Sequence, residues 1–158
     1  MAGGNMILTS SAFQDGGQIP AKYTCDGLNI SPPLAFSGIP KGAKSLVLFI
    51  DDPDAPDPEH PRMDWTHWLL YNLPPDTASL SEGIRDLPQG TLSGWTDFRR
   101  TTYGGPCPPV GNHRYFHRLY ALDVILPNLG MASKSDIMNA MKGHILDEAE
   151  LVGKYRRP

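Results

Sequence analysis

YGGPCPPVGNHRYFHRLYALDVIL, residues 103–126, joins a glycine- and proline-rich loop to the strongest strand signal of the chain. Aromatic and branched side chains fill residues 114–126, and Pro127 with Asn128 ends the run, so this part predicts a long β-strand. Shorter apolar runs between turn residues predict further strands at residues 44–50, 65–73, 6–10 and 151–155.

One segment has helical character, from Ser133 to about Ala149. Ser133 with Asp136 three residues later resembles a capping box, and an apolar stripe at helical spacing follows it. Gly143 weakens the second half of this helix. Because strands outnumber helices and do not alternate with them, we predict a mainly β fold: an antiparallel β-sandwich with a few short helices, one near the C-terminus.

Length and composition indicate a single domain over residues 1–158. Glycine and proline each number 16, which disfavours a helical bundle because proline is costly inside a helix. The net charge of −3 gives no reason to expect nucleic-acid binding. The longest apolar run, residues 46–50, is too short for a membrane span, and the N-terminus lacks signal-peptide features, which favours a cytoplasmic location.

The two cysteines, Cys25 and Cys107, leave two interpretations open. They are either two buried thiols or neighbours in space that form a disulfide. Neither has a second cysteine at metal-ligand spacing, so a zinc finger is excluded. The sequence contains no dinucleotide-binding or phosphate-loop motif, and we therefore expect no cofactor and no metal.

Carboxylates follow the predicted strand at residues 44–50, in the acidic segment 51–58. Its prolines stiffen the backbone, so Asp52 and Asp54 can point at a common spot. The calcium-loop pattern is missing. The alternative is a solvated acidic turn.

His67 lies three residues into a predicted strand that begins at Trp65. Simple alternation places it on an apolar face with Trp65, Leu69 and Tyr71. A histidine there is either a core residue or a ligand-binding residue.

The glycine-rich loop at residues 103–111 leads the chain to His113 and Tyr115. Two residues apart on a strand, these side chains leave the same face about 6.6 Å apart. Gly104, Gly105 and Gly111 can take positive φ, and successive amides in such a turn can form an anion-binding concavity. The alternative is an ordinary hairpin loop with an aromatic strand behind it.

Three segments in this order resemble the phosphatidylethanolamine-binding protein family, also called Raf kinase inhibitor protein-like, in its bacterial and archaeal branch. They are residues 52–56 (DPDAP), residues 65–68 (WTHW), and residues 105–109 (GPCPP) followed by residues 113–115 (HRY). The resemblance spans nearly the whole chain. It implies a β-sandwich with an anion-binding pocket at one end, whose residues would be Asp52, Asp54, His67, Gly104, Gly105, Pro108, Pro109, His113 and Tyr115.

The resemblance implies a non-enzymatic regulatory module that binds phosphate, carboxylate or phosphorylethanolamine-like groups on small molecules or proteins. A protein partner would then be a kinase or a protease. Two alternatives remain: a serine protease inhibitor that uses the proline-rich segment 54–61, and a small-molecule hydrolase that uses Asp, His and Tyr in acid–base chemistry. The sequence shows no activated nucleophile, which favours binding. Edge strands of such a sandwich also allow a homodimer.

Overall fold

The computed structural model describes residues 4–158 and shows two antiparallel sheets. A short 3-10 helix spans Ala21–Tyr23. The remaining elements are β1 (Ile7–Thr9), β2 (Leu34–Ser37), β3 (Ser45–Ala55), β4 (Met63–Leu73), β5 (Ser79–Leu80), β6 (Leu92–Ser93), β7 (His113–Leu122), α1 (Lys134–Met141) and β8 (Ile145–Tyr155).

The three-stranded sheet has the order β1-β2-β5 and the five-stranded sheet the order β6-β4-β3-β7-β8. One apolar cluster lies between the sheets and includes Leu48, Trp68 and Leu119. A second cluster packs the opposite face of the large sheet against α1 and includes Phe49 and Ile137. Strands β3 and β7 are therefore apolar on both faces, as expected for the centre of a covered sheet. The predicted mainly β sandwich is confirmed.

The C-terminal helix is shorter than the sequence predicts. It begins with the expected capping box, in which Ser133 and Asp136 exchange hydrogen bonds, and it ends at Met141. Gly143 then adopts a φ of +81°, which reverses the chain into the 11-residue strand β8. Strand pairing with β7 thus takes over residues 145–149, which the helical pattern had assigned to the helix.

Strand β3 is longer than predicted and runs through the acidic segment to Ala55. Strand β7 begins at His113 and ends at Leu122, four residues before the predicted end. Of the helices in the described part of the chain, none is long and apolar enough to cross a membrane.

Candidate functional site

A cavity of about 250 Å³ opens at the end of the large sheet where β3, β4 and β7 meet. Its size suits a small ligand, since sites for drug-sized molecules measure roughly 300–1,000 Å³. Most of its lining is apolar, with a few polar groups converging at its base. The lining residues are Asp52, Ala55, Pro56, Met63, Trp65, His67, Phe98, Cys107, Pro108, Pro109, His113 and Tyr115.

The end of β3 places consecutive aspartates on opposite faces of the sheet. Asp52 lines the cavity, whereas Asp51 meets Lys134 and Arg118 on the face that carries α1. Asp51, Asp52 and Asp54 are all buried. The alternative of a solvated acidic turn is therefore wrong, because the strand continues through these residues and its neighbours cover them.

Asp52 and His113 form a buried pair at the base of the cavity, with His113 Nδ1 2.6 Å from the Asp52 carboxylate. The other ring nitrogen, Nε2, donates to the carbonyl of Val110 at 2.8 Å. Gly111, with a φ of +80°, turns the chain between the carbonyl and the histidine. Since a carbonyl only accepts, Nε2 carries a proton, and the pair shares one further proton along its short bond.

Burial raises the pKa of Asp52, and the hydrogen bond with His113 opposes that rise only in part. The second Asp52 oxygen accepts from the backbone N–H of Asp54 at 2.8 Å. The pair is neutral as a unit, so it brings no net positive charge to the cavity. The structure thus places Asp52 against His113 and not against His67.

His67 reaches the cavity through a β-bulge. Asp51 pairs with Thr66 while the preceding Ile50 pairs with Trp68, so His67 is an extra residue on β4. A bulge re-aims the side chains around it. The prediction that His67 shares a face with Leu69 and Tyr71 is therefore wrong: those side chains pack in the α1-side cluster.

The His67 ring instead packs edge-on against Tyr115, with ring centroids 5.2 Å apart. Its Nδ1 donates to the carbonyl of Gly104 at 2.7 Å, and its Nε2 has no hydrogen-bond partner among residues 4–158. Burial lowers the pKa of His67 to about 4. At neutral pH the ring is therefore uncharged and its Nε2 is an unpartnered acceptor.

Tyr115 stands beside His113 on β7, as predicted, with ring centroids 6.3 Å apart. The side chain is 1% exposed. Burial and then the charge of Asp52 raise the pKa of its phenol. The hydroxyl therefore keeps its proton and can donate a hydrogen bond to a ligand.

Asp54 is near the site but outside the cavity wall. Its carboxylate accepts a bidentate pair of bonds from the Arg114 guanidinium at 2.8 and 2.9 Å. The same carboxylate also accepts from the Arg114 backbone N–H. Arg114 lowers the pKa of Asp54, which stays ionised. Asp54 thus fixes the start of β7 against the end of β3 and does not face the cavity.

Gly104 and Gly105 support the cavity from outside and do not form an anion-binding turn. Their N–H groups are already committed, to the carbonyl of His67 and to the side chain of Asn29. Neither takes positive φ. A Cβ on Gly104 would lie 2.4 Å from the Phe98 ring, and one on Gly105 2.3 Å from a backbone oxygen. Close packing therefore explains these glycines.

The cysteines form a disulfide, with Cα atoms 5.4 Å apart, so the interpretation as two buried thiols is wrong. Cys25 and Cys107 are 82 positions apart, too far for sequence spacing to reveal the pairing. The bond ties the cavity wall to residues 21–29, as do the Cys25 N–H bond to Pro106 and the Gly105 bond to Asn29. Disulfides are rare in cytosolic proteins of mesophiles, so this one does not favour the predicted cytoplasmic location.

Sequence reasoning missed several apolar lining residues. Trp65 had a usable signal, since alternation places it on the face of His67. Phe98 had none, because it comes from a loop after β6 and packs edge-on against His67, with centroids 5.2 Å apart. Pro108 and Pro109 were correctly placed in the wall.

The comparisons with known proteins agree with this architecture. A family model described as phosphatidylethanolamine-binding protein matches residues 9–156. A UPF0098 protein of Methanothermobacter thermautotrophicus is 53% identical over 155 residues, covering 96% of this chain and 99% of that protein.

Two solved structures have the same fold. The phosphatidylethanolamine-binding protein homologue CT736 of Chlamydia trachomatis superposes with a TM-score of 0.91 at 43% identity, covering 99% of this chain and 100% of that chain. YbcL of Escherichia coli, described as a member of the mammalian family, gives a TM-score of 0.86 at 28% identity and covers 97% of this chain and 99% of its own. The chain therefore belongs to the phosphatidylethanolamine-binding protein family.

Proposed function

We propose that the cavity binds a single small oxyanion, the phosphate or carboxylate group of a small molecule or protein, and that the protein acts as a non-enzymatic regulatory module. One observation carries the proposal. His67, whose Nε2 has no hydrogen-bond partner among the described residues, and Tyr115 both line a small cavity whose lining is mainly apolar.

The charge balance of the site determines how an anion can enter. The Asp52–His113 pair is neutral as a unit, and Arg114 neutralises Asp54. His67 is uncharged at neutral pH. An anion buried here without a counter-charge would be unfavourable, because desolvation penalises an isolated ion. We therefore propose that one proton binds with the anion, on Nε2 of His67, so that the imidazolium donates to it.

The lining supports binding over hydrolysis. It contains no serine, threonine or free thiol, since Cys107 is in the disulfide. A serine, threonine or cysteine activated by an adjacent base is a common nucleophile for covalent attack on an ester. The protease-inhibitor alternative stays a prediction. Its segment begins inside β3, and Pro56 belongs to the cavity wall, which leaves residues 57–61 as the loop available to a protease.

The test is titration of sulfate and phosphate into the wild type and two variants, followed by calorimetry. His67→Asn keeps an amide donor near the Nδ1 position, and with it the bond to Gly104, but removes Nε2. Tyr115→Phe removes only the hydroxyl. We expect saturable one-site binding, weakened at least tenfold in His67→Asn and less in Tyr115→Phe, since a charge-assisted hydrogen bond contributes about 1.5–3 kcal/mol.

His144→Asn is the matched control, because His144 is half-exposed, bonds Asp123 and lies outside the cavity lining. It should bind sulfate like the wild type. Equal affinity in His67→Asn and the wild type, or no saturable binding in the wild type, would overturn the proposal.

A further inference from the structure

A second cavity, larger than the first, lies at a different place on the molecule. This rear groove measures about 570 Å³, within the range of roughly 300–1,000 Å³ typical of small-molecule sites. Residues 29–31, 83–85, 87 and 101–103 form most of its walls, and the buried Trp68 also lines it. It shares no lining residue with the oxyanion cavity.

The groove offers hydrogen-bond donors and one positive charge. Arg85 is exposed at its rim and makes no ion pair among residues 4–158. The hydroxyls of Ser93, Thr101 and Thr102 also line the groove, and no hydrogen bond commits them within the described chain. No lining residue is acidic. Such a surface favours a ligand rich in acceptors and negatively charged.

Two further polar groups, on side chains that are otherwise buried, line the groove beside Arg85. Ser31 is 3% exposed and Trp68 is 3% exposed. Neither the Ser31 hydroxyl nor the Trp68 indole N–H has a hydrogen-bond partner in the part of the chain that the structure describes. Thr91 Oγ1 is the one fully buried side-chain polar atom without a partner among the described residues, so the Ser31 and Trp68 groups are accessible from the groove and can donate to a ligand's acceptor atoms.

The remaining walls are apolar. Ile30, Ile84 and Leu87 pack against the core between the sheets and present their other sides to the groove. The ring of Tyr103 continues this surface and stands edge-on to Trp68, with centroids 5.7 Å apart. A ligand that fills the groove therefore has an apolar body as well as an acceptor group.

We propose that the rear groove is a second binding site, for a small organic anion in which a phosphate or carboxylate is attached to an apolar body. Arg85 holds the anionic group at the rim. Ser31 and the Trp68 indole bind acceptor atoms in the groove, while the apolar body packs on Ile30 and Leu87. This inference is independent of the proposed oxyanion site.

The tryptophans make the two sites separately observable. Trp68 lines the rear groove, Trp65 lines the oxyanion cavity and Trp95 lines neither. Their three indole N–H signals in a ¹⁵N-correlated NMR spectrum, assigned by single Trp→Phe variants, thus report the site that a ligand occupies. Phenyl phosphate is the probe, benzyl alcohol lacks its charge and inorganic phosphate lacks its apolar body.

We expect phenyl phosphate to shift the Trp68 signal saturably and to leave the Trp95 signal in place. Benzyl alcohol and inorganic phosphate should need at least tenfold higher concentrations than phenyl phosphate to shift the Trp68 signal by the same amount. Arg85→Gln should lower the affinity of the groove for phenyl phosphate at least tenfold. Arg156→Gln, a matched change at an exposed arginine outside the groove, should not.

His67→Asn separates this proposal from the oxyanion site. Binding in the groove should survive that substitution even if binding in the oxyanion cavity is lost. The proposal is overturned if phenyl phosphate shifts only the Trp65 signal, if Arg85→Gln binds like the wild type, or if His67→Asn abolishes the Trp68 shift.

Discussion

Asp51 and Asp52 are neighbours on β3, are both buried, and have opposite surroundings. Asp51 contacts Lys134 of α1 and Arg118 of β7, cations that stay charged over the whole physiological range. Asp52 contacts the imidazole of His113 beside an open cavity. Burial raises the pKa of both carboxyls.

The difference shows that a buried carboxylate with a raised pKa does not by itself mark a functional site. The Asp51 cluster fills its space with side chains and fastens α1 to the sheet. The Asp52–His113 pair leaves a cavity beside it, lined also by His67 and Tyr115. The type of partner and the adjoining space distinguish the two, so the Asp51 face should respond to mutation through stability and the Asp52 face through binding.

The largest effect should come from the disulfide that closes the Asp52 face. Replacing Cys25 and Cys107 together by alanine should lower the free energy of unfolding by about 4 kcal/mol, because the unfolded chain loses a long cross-linked loop. Urea denaturation measures this. Sulfate affinity should also fall, since Cys107 belongs to the wall. Unchanged unfolding would show that the bond does not stabilise the protein.

On the Asp51 face, Lys134→Met should cost about 3 kcal/mol of stability, because it removes one cation from a fully buried carboxylate. Sulfate binding should be unaffected. Lys142→Met, at an exposed lysine just beyond α1, is the matched control and should be near neutral. A large change in sulfate affinity in Lys134→Met would remove the distinction between the two faces.

A third prediction compares His67 with His117, a buried histidine of β7 that lies outside the cavity lining. Burial lowers the pKa of each to about 4. Because these pKa values are lowered in the folded protein, the contribution of each neutral ring to the free energy of unfolding is fully present above about pH 6.5. That contribution is lost as the pH falls toward about 4. By about pH 5 the free energy of unfolding should have fallen by about 2 kcal/mol for each ring.

Urea denaturation at about pH 7 and pH 5 tests this comparison. His117→Asn should remove roughly half of the pH-dependent loss that the two rings produce. Saturating sulfate should offset only the His67 share, because only that ring faces the ligand. Equal effects of sulfate in His67→Asn and His117→Asn would contradict the assignment.

The smallest effect concerns Asp54, the third carboxylate of the segment. Arg114 lowers its pKa but is 50% exposed, so Arg114→Gln should cost at most about 1 kcal/mol at neutral pH. That contribution disappears as pH falls through the lowered pKa of Asp54. Urea denaturation at neutral pH measures it. A loss comparable to that of Lys134→Met would place Asp54 with Asp51 as a principal structural carboxylate.

Local patterns were sufficient to predict much of the fold. Apolar runs bounded by prolines located β3, β4 and β7, and Ser133 located the start of α1. The end of α1 could not be predicted from the apolar pattern that follows Ser133, because the residues at 145–149 are compatible with a helix and with a strand. Pairing with β7 makes them a strand.

Parts of the site depend on contacts that no local pattern contains. His113 and Tyr115 were predictable because two-residue spacing on one strand places both on one face. The bulge at His67 breaks alternation and arises from the register between β3 and β4. The disulfide and the contact of Phe98 with His67 likewise join residues that are far apart in the sequence.

An anion and a proton are proposed to enter the cavity together, and counting the protons tests this most directly. Calorimetric titration of sulfate near pH 6, in two buffers of different ionisation enthalpy, counts the protons taken up, and sulfate itself does not titrate there. We expect uptake approaching one proton per sulfate in the wild type, with sulfate affinity falling up to about tenfold for each rise of one pH unit. Saturable binding with no proton uptake would contradict it.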